Sequence, residues 1–454
     1  MKDRLSTTKF VNQWELWSNV STNRKIFSAT LIIALFTFGA KLVSTAKELV
    51  VAASFGTSDS MDAFLVAFIV PSAAVTIISG SFNAAFIPSY VQVKERYGTE
   101  NAQKLLGNVM ASTILLLGTA TIGMVLAAPY YLPLLASGFS PIKIALTRKL
   151  LYLLSPMVLI AGTNTIWSAV LNAGEEFALV AATPALTPAV IIVFLFVARG
   201  WGVTTLTVGT ICGTIFEAGI ICSALLRKRI RPWPSWHGAD PHLWQVIQQY
   251  LPMVSGSLIL GSTSLINQGM AAMLGPGSVA VLNYGNRLIT VPISVGTTAL
   301  GTAVIPYFSV MVTKNDWHGI RHTLKRYFAL IFGVAIPVTV GLMLGSELLV
   351  RVIYQRGAFT TQDTHLVAPV LAFFAVQLPF YVAGTLLVRL VSAMLANHIL
   401  LISSIVSVLL NVTLNYAFMQ RFGVAGIALS TSCVYLVAFL LLHFSWRRIS
   451  KKYQ

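Results

Sequence analysis

Charge is scarce in this sequence, and negative charge most of all. Of 454 residues, 10% are charged and only 14 are Asp or Glu, while 56% are apolar. Such a chain cannot wrap itself in a water-compatible surface, which excludes a soluble globular protein. Cysteine is nearly missing. Cys212, Cys222 and Cys433 all fall in apolar runs, without the spacing or setting of a disulfide framework or a zinc site, and read as packing residues. Long polar loops are missing too. The longest, 231–242 and 313–326, hold only Asp240 and Asp316 as acids, which leaves a membrane-embedded glycosyltransferase, polymerase or acyltransferase without its catalytic loop. His318 and His322 stand four apart, but with no third ligand nearby they read as a solvated face. No phosphate-binding loop is present, so ATP hydrolysis is not expected, nor is an enzyme or a cofactor. The first 25 residues lack the apolar core of a cleavable signal peptide. Phe10, Trp14 and Trp17 share one helical face there, as in a short helix lying among lipid headgroups.

What the chain does have is apolar runs of about 20 residues, long enough to cross roughly 30 Å of hydrocarbon as helix. Twelve recur, near 26–54, 61–91, 106–135, 150–171, 177–198, 203–226, 243–274, 279–312, 327–354, 366–395, 399–419 and 424–444. The second, eighth and ninth contain Pro71, Pro292 and Pro337, where kinks are expected. The expected fold is an all-α polytopic membrane protein with about twelve transmembrane helices in two six-helix bundles. Its parts are an interfacial segment (1–25), a first bundle (26–226), a cytoplasmic linker (227–242), a second bundle (243–445) and a basic tail (446–454).

The net charge of +17 would suggest nucleic acid in a soluble domain, but its distribution is that of a membrane topology signal. With the N-terminus inside, cytoplasmic segments hold about 20 of the 31 basic residues and outer loops about 7. Both termini are then cytoplasmic, in a bacterial inner membrane. Membrane lipids are expected partners and nucleic acid is not.

An internal repeat organises the chain. "AASFGTSDSMDAFLVAFIVPSAAVTIISGSFNAAFIPSY" is echoed by "AAMLGPGSVAVLNYGNRLITVPISVGTTALGTAVIPYF", with 32 residues from Gly56 to Pro88 and 31 from Gly275 to Pro306. "SAVL" from Ser168 and "SAML" from Ser392 repeat nearly the same offset. An interval of six helices gives both copies the same orientation, the parallel repeat of a transporter with its substrate site between the halves.

Ionisable residues at membrane depth cost about 2.5–3.5 kcal/mol on insertion scales, so each needs a reason. Lys41, Lys47, Arg287 and Arg389 are the basic ones, and Glu48, Asp62 and Glu217 the acidic ones. Lys41, Ser44, Thr45 and Glu48 make a polar face of the first helix, with Lys47 turned away from it by about 100°. Asn283 with Arg287, and Tyr381, Thr385 and Arg389, make two more. Internal ion pairs would explain any one of these alone. The set fits a water-filled chamber whose basic excess favours an anion, with the four cations as substrate ligands and the three acids as gating or ion-coupling groups. A multidrug or cation antiporter would instead need a carboxylate-rich cavity.

Six segments in order, "KLVSTAKELVVAASFGTSDSMDAFLVAFIVP", "GSFNAAFIPSY", "LNAGEEFALVAATPALTP", "YGNRLITVPISVGTTALGTAVIPYFS", "YQRGAFTTQDT" and "GVAGIALSTS", resemble the MurJ/MviN branch of the flippase superfamily that includes polysaccharide exporters and multidrug extruders. The resemblance implies a flippase for polyprenyl-pyrophosphate-linked saccharides, working by alternating access. It places Lys41, Lys47 and Arg287 where the family has cavity arginines, and Glu48 and Asp62 where it has acids. After Pro71, however, "SAAVTIIS" lacks the family's two arginines and acid, and the chain has twelve helices where lipid II flippases usually have fourteen. The expected cargo is therefore a surface polysaccharide precursor, with polysaccharide assembly proteins as further partners. Lipid II is the alternative cargo, and a multidrug antiporter of the same superfamily the more distant one.

Overall fold

The computed structural model describes residues 22–238, 241–314, 316–394 and 396–451, and all the regular structure in them is helical. The segment carrying Phe10, Trp14 and Trp17 lies outside the described residues. In chain order the helices are α1 (Thr22–Phe55), α2 (Asp59–Leu135), α3 (Pro141–Leu154), α4 (Pro156–Ala173), α5 (Phe177–Ala182), α6 (Leu186–Val197), α7 (Thr204–Arg227) and α8 (Pro241–Ala272). They continue with α9 (Ser278–Thr313), α10 (Trp317–Leu344), α11 (Ser346–Tyr354), α12 (Thr361–Ala375), α13 (Gln377–Ala393), α14 (Asn397–Phe422) and α15 (Val424–Lys451).

Nine stretches among the described residues are long and apolar enough to cross a membrane, and the helices α1, α8 and α9 are each long enough as well. The chain is a multi-pass membrane protein. Leu126 and Leu344 illustrate its outward faces, being 69% and 85% exposed. Fully buried polar residues such as Asn411 and Asn415 are inside. That inversion of the soluble pattern fits hydrocarbon as the solvent.

Local chemistry sets the helix ends. α2 begins at Ser58, whose side chain accepts a hydrogen bond from the Met61 amide, and Asp59 and Asp62 place negative charge in its first turn. Its 77 residues do not form one rod, because Gly98 (φ +83, ψ 173) breaks the helix in a conformation open essentially to glycine alone. α12 starts with a capping box in which Thr360 and Asp363 satisfy each other's backbone amides.

The chain packs as two compact units. The first comprises Met1–Val50, Ala74–Ile122 and Leu153–Leu251; the second comprises Val51–Ala73, Gly123–Tyr152 and Pro252–Gln454. In the first, α7 lies against α4 and α6. Gly213 lets the backbones approach so closely that a Cβ there would stand 2.7 Å from the Thr187 Cα, the small-residue packing that replaces the hydrophobic drive inside lipid. In the second, α15 packs on α12, α13 and α14, and α9 on α12 and α13, around Leu371, Leu386, Leu387, Leu390 and Ile427.

The linker after α7 is strapped to the second half of α2. Asn108 accepts from the His237 amide at 2.7 Å and donates to the Gly238 carbonyl at 3.3 Å. Gln103 brackets Arg231 in the same two-way manner, and the Trp167 indole donates to the Pro232 carbonyl at 3.1 Å. Lys228 pairs with Glu176. Asn108→Ala removes the acceptor of the His237 amide and the donor to the Gly238 carbonyl, at about 0.5–1.5 kcal/mol for each hydrogen bond. Trypsin should then cut the Arg227–Arg231 run several-fold faster than in the wild type.

Candidate functional site

The most elaborate polar structure in the second unit gathers around Asp62. The start of α2 puts this carboxylate one turn into the helix, where it is 0% exposed. It accepts from the backbone amides of Gly277 at 2.7 Å and Ala280 at 2.8 Å, and so caps the N-terminus of α9. Its third partner is the ammonium of Lys143, in the first turn of α3, at 2.8 Å. Lys143 also binds Asp59 and lies 4.0 Å from the centre of the Phe139 ring. A buried carboxylate is tolerable only when paired and hydrogen-bonded, and here one ammonium and two amides replace its water.

Further struts join the same chain segments. Thr57 donates to Asp363, whose other oxygen caps α12. The Tyr284 hydroxyl donates to the Gly56 carbonyl at 3.1 Å, and the Ala358 amide to the Ala53 carbonyl at 2.8 Å. Tyr284, Tyr354 and Phe359 form an aromatic triangle with ring centres 5.1–5.5 Å apart. Gly277 (φ +80) and Gly357 (φ +57) face the opposing backbone directly, since a Cβ on either would stand 2.3 Å from a carbonyl oxygen of Thr57 or Ala53. The first-half segment 51–63 is thus held to the α8–α9 and α11–α12 turns. The joint combines hydrogen bonds, one ion-pair cluster and an aromatic triangle on closely approaching backbone.

The other sequence-selected residues stand as follows. Lys41 is exposed on α1, while Lys47 and Glu48 pair with each other at 2.7 Å and are largely buried. Arg287 is exposed on α9, and Arg389 is half-buried on α13 with its Nε lacking a hydrogen-bond partner. Glu217, on α7, accepts from the Thr187 hydroxyl at 3.0 Å and from the Asn164 amide. Asp62 is brought to Lys143, not to one of the four intramembrane cations. Sequence reasoning passed over Lys143, Asp59, Thr57, Tyr284 and Asp363. The cap at Ser58 and the matched turns at Gly56 and Gly275 were signals for this neighbourhood, but no local pattern marks Lys143.

Comparison with known proteins bears on what this architecture belongs to. Residues 51–454 match the family model described as lipid II flippase MurJ. The chain belongs to the MurJ family. A probable lipid II flippase MurJ of Synechocystis is 27% identical over 443 residues, covering 94% of this chain and 82% of the relative. The lipid II flippase MurJ of Burkholderia cenocepacia is 27% identical over 451 residues, with coverages of 93% and 84%. Among solved structures, lipid II flippase MurJ in an inward closed conformation superposes with a TM-score of 0.79 at 23% identity, over 92% of this chain and 87% of that one. An inward-facing multidrug MATE transporter gives 0.76 at 14% identity, over 92% and 98%. The fold is that of these transporters.

These findings correct the expected cargo. A surface polysaccharide precursor was inferred from three missing charges after Pro71 and from the helix count. The MurJ family match and the relatives named as lipid II flippases favour the alternative, because relatives only about a quarter identical across most of the chain differ at many single positions without leaving the family.

Proposed function

We propose that this protein is a flippase for lipid II, carrying the polyprenyl-pyrophosphate-linked precursor of peptidoglycan from the inner to the outer leaflet of a bacterial inner membrane, with both termini cytoplasmic. The family match over 51–454 is the observation that carries the reading. In that topology the Asp62 joint lies on the outer side, where the loops after α1, α8 and α11 emerge, and acts as a closed outer gate. The cycle is alternating access: the gate stays shut while the pyrophosphate and sugar enter from the cytoplasm, and parts to release them outside as the polyprenyl tail stays in lipid. Lys41, Lys47, Arg287 and Arg389 are the groups that replace phosphate hydration, with Glu48 as the resident partner of Lys47. Outward movement of negative charge from a negative interior gains about 2.3 kcal/mol per charge per 100 mV if it crosses the full drop.

The test is purified protein in vesicles holding lipid II and a clamped potential, with leaflet exchange read by an impermeant modifying enzyme. Exchange dependent on the protein supports the reading. If lipid II stays in its leaflet while a partner protein moves it in the same vesicles, a scaffolding role replaces transport. In this assay Arg287→Ala is expected to slow exchange at least tenfold. Arg287→Lys, which keeps the charge but loses the planar fork of donors, should also fall clearly below wild type.

A further inference from the structure

Glu217 has no role in the gate. It sits on α7 in the first unit, four residues beyond Gly213 and eight beyond Gly209, on the stripe that packs against α6. Among the described residues it forms no ion pair. The two principal helices packed on α7, α4 and α6, carry no titratable or charged side chain, nor do α5 and the turn 183–185, while the turn Arg199–Trp201 packed on α7 brings Arg199. On α7 itself Cys212 and Cys222 lie five residues away on either side, turned to other faces, and Arg227 is at the far end. Among the described residues this carboxylate has two neutral donors, the Thr187 hydroxyl and the Asn164 amide. An apolar residue would serve the helix interface better, so packing does not account for Glu217.

Asn164 supplies the second observation. Its side chain is 6% exposed and its amide nitrogen is spent on Glu217, yet its carbonyl oxygen Oδ1 has no hydrogen-bond partner. A buried acceptor left empty beside a carboxylate can be used if the carboxyl group brings a hydrogen of its own. In the ionised state the Asn164 N–H donates to Glu217. In the protonated state a half-turn of the amide lets the Glu217 O–H donate to Oδ1, while Thr187 still donates to the other carboxyl oxygen. A hydrogen bond between Glu217 and Asn164 thus exists in both charge states without moving a helix.

We propose that Glu217 is a proton-binding site of the first unit, with Asn164 as the reversible partner of the bound proton and Thr187 as its fixed donor. Its use in transport rests on the flippase reading, where a proton taken up on one side and released on the other would couple the step to the proton gradient. The binding itself does not depend on that reading.

The test therefore uses no lipid II. Infrared difference spectra of the full-length protein in lipid nanodiscs are taken between acidic and alkaline buffer in a sodium-free choline salt. A carboxylic-acid carbonyl band is expected to grow as pH falls, to be absent in Glu217→Gln, and to shift in frequency in Asn164→Ala and Thr187→Val. Identical difference spectra for wild type and Glu217→Gln would overturn the proposal. So would loss of the band when sodium replaces choline at constant pH, since that would make sodium the ligand. An unshifted band in Asn164→Ala would remove Asn164 from the site. Flipping that fails alongside a titrating Glu217 band would count against the flippase reading alone.

Discussion

Asp62→Ala should open the joint between segment 51–63 and the α9 and α12 turns in most molecules. The substitution removes one acceptor shared by two backbone amides and an ammonium, all at 2.7–2.8 Å. Breaking a buried charge cluster by deleting one partner costs about 3–5 kcal/mol, which changes a two-state ratio by two orders of magnitude or more. Lys143 keeps Asp59 as a partner, but Asp59 is exposed and reaches neither amide, so compensation is partial. Spin labels at Ser54 and Arg356, both exposed, report the separation across the joint. A short, narrow distance in the wild type should give way to a longer, broader one in Asp62→Ala. Asp62→Asn should fall between, since its amide offers one acceptor oxygen in place of two and no charge. If the distance in Asp62→Ala stays at the wild-type value, the carboxylate does not hold the gate and the remaining struts suffice without it.

The opposite manipulation should be as severe. Thr57 and Asp363 touch through their side chains, so cysteines at both positions can be bridged. Cys212, Cys222 and Cys433 are free and must first be replaced. In that background, oxidised Thr57→Cys/Asp363→Cys is expected to lose nearly all lipid II exchange and to recover it on reduction. Each single cysteine should remain responsive to neither treatment. The single Asp363→Cys variant also reports the cost of losing the α12 capping box, which is expected at about 0.5–2 kcal/mol. Undiminished exchange by the fully bridged protein would mean that this joint never has to part, and alternating access through it would be wrong.

Both experiments turn on contacts that illustrate where sequence reasoning runs out. The twelve membrane-spanning stretches were legible because uninterrupted apolar length is a local property. Membership in a transporter family was legible because six motifs in order survive divergence. Asp62 was singled out in the sequence only as an acid at membrane depth, and its partners were not legible there. The cargo was misread because a few missing charges were given more weight than the family as a whole.

Composition and periodicity thus determined that this chain is a helical membrane protein with a repeated, sparsely charged interior, because lipid imposes helix and apolar length on every segment independently. Only the tertiary structure decided what the interior charges do. Lys143 meets Asp62 from 81 residues away, Gly277 from 215, and Asp363 meets Thr57 from 306. No helical period links such positions. The glycines that permit the approach and the orphaned oxygen of Asn164 beside Glu217 exist only once separate helices are packed, because hydrogen-bond satisfaction is decided by neighbours in space and not in sequence.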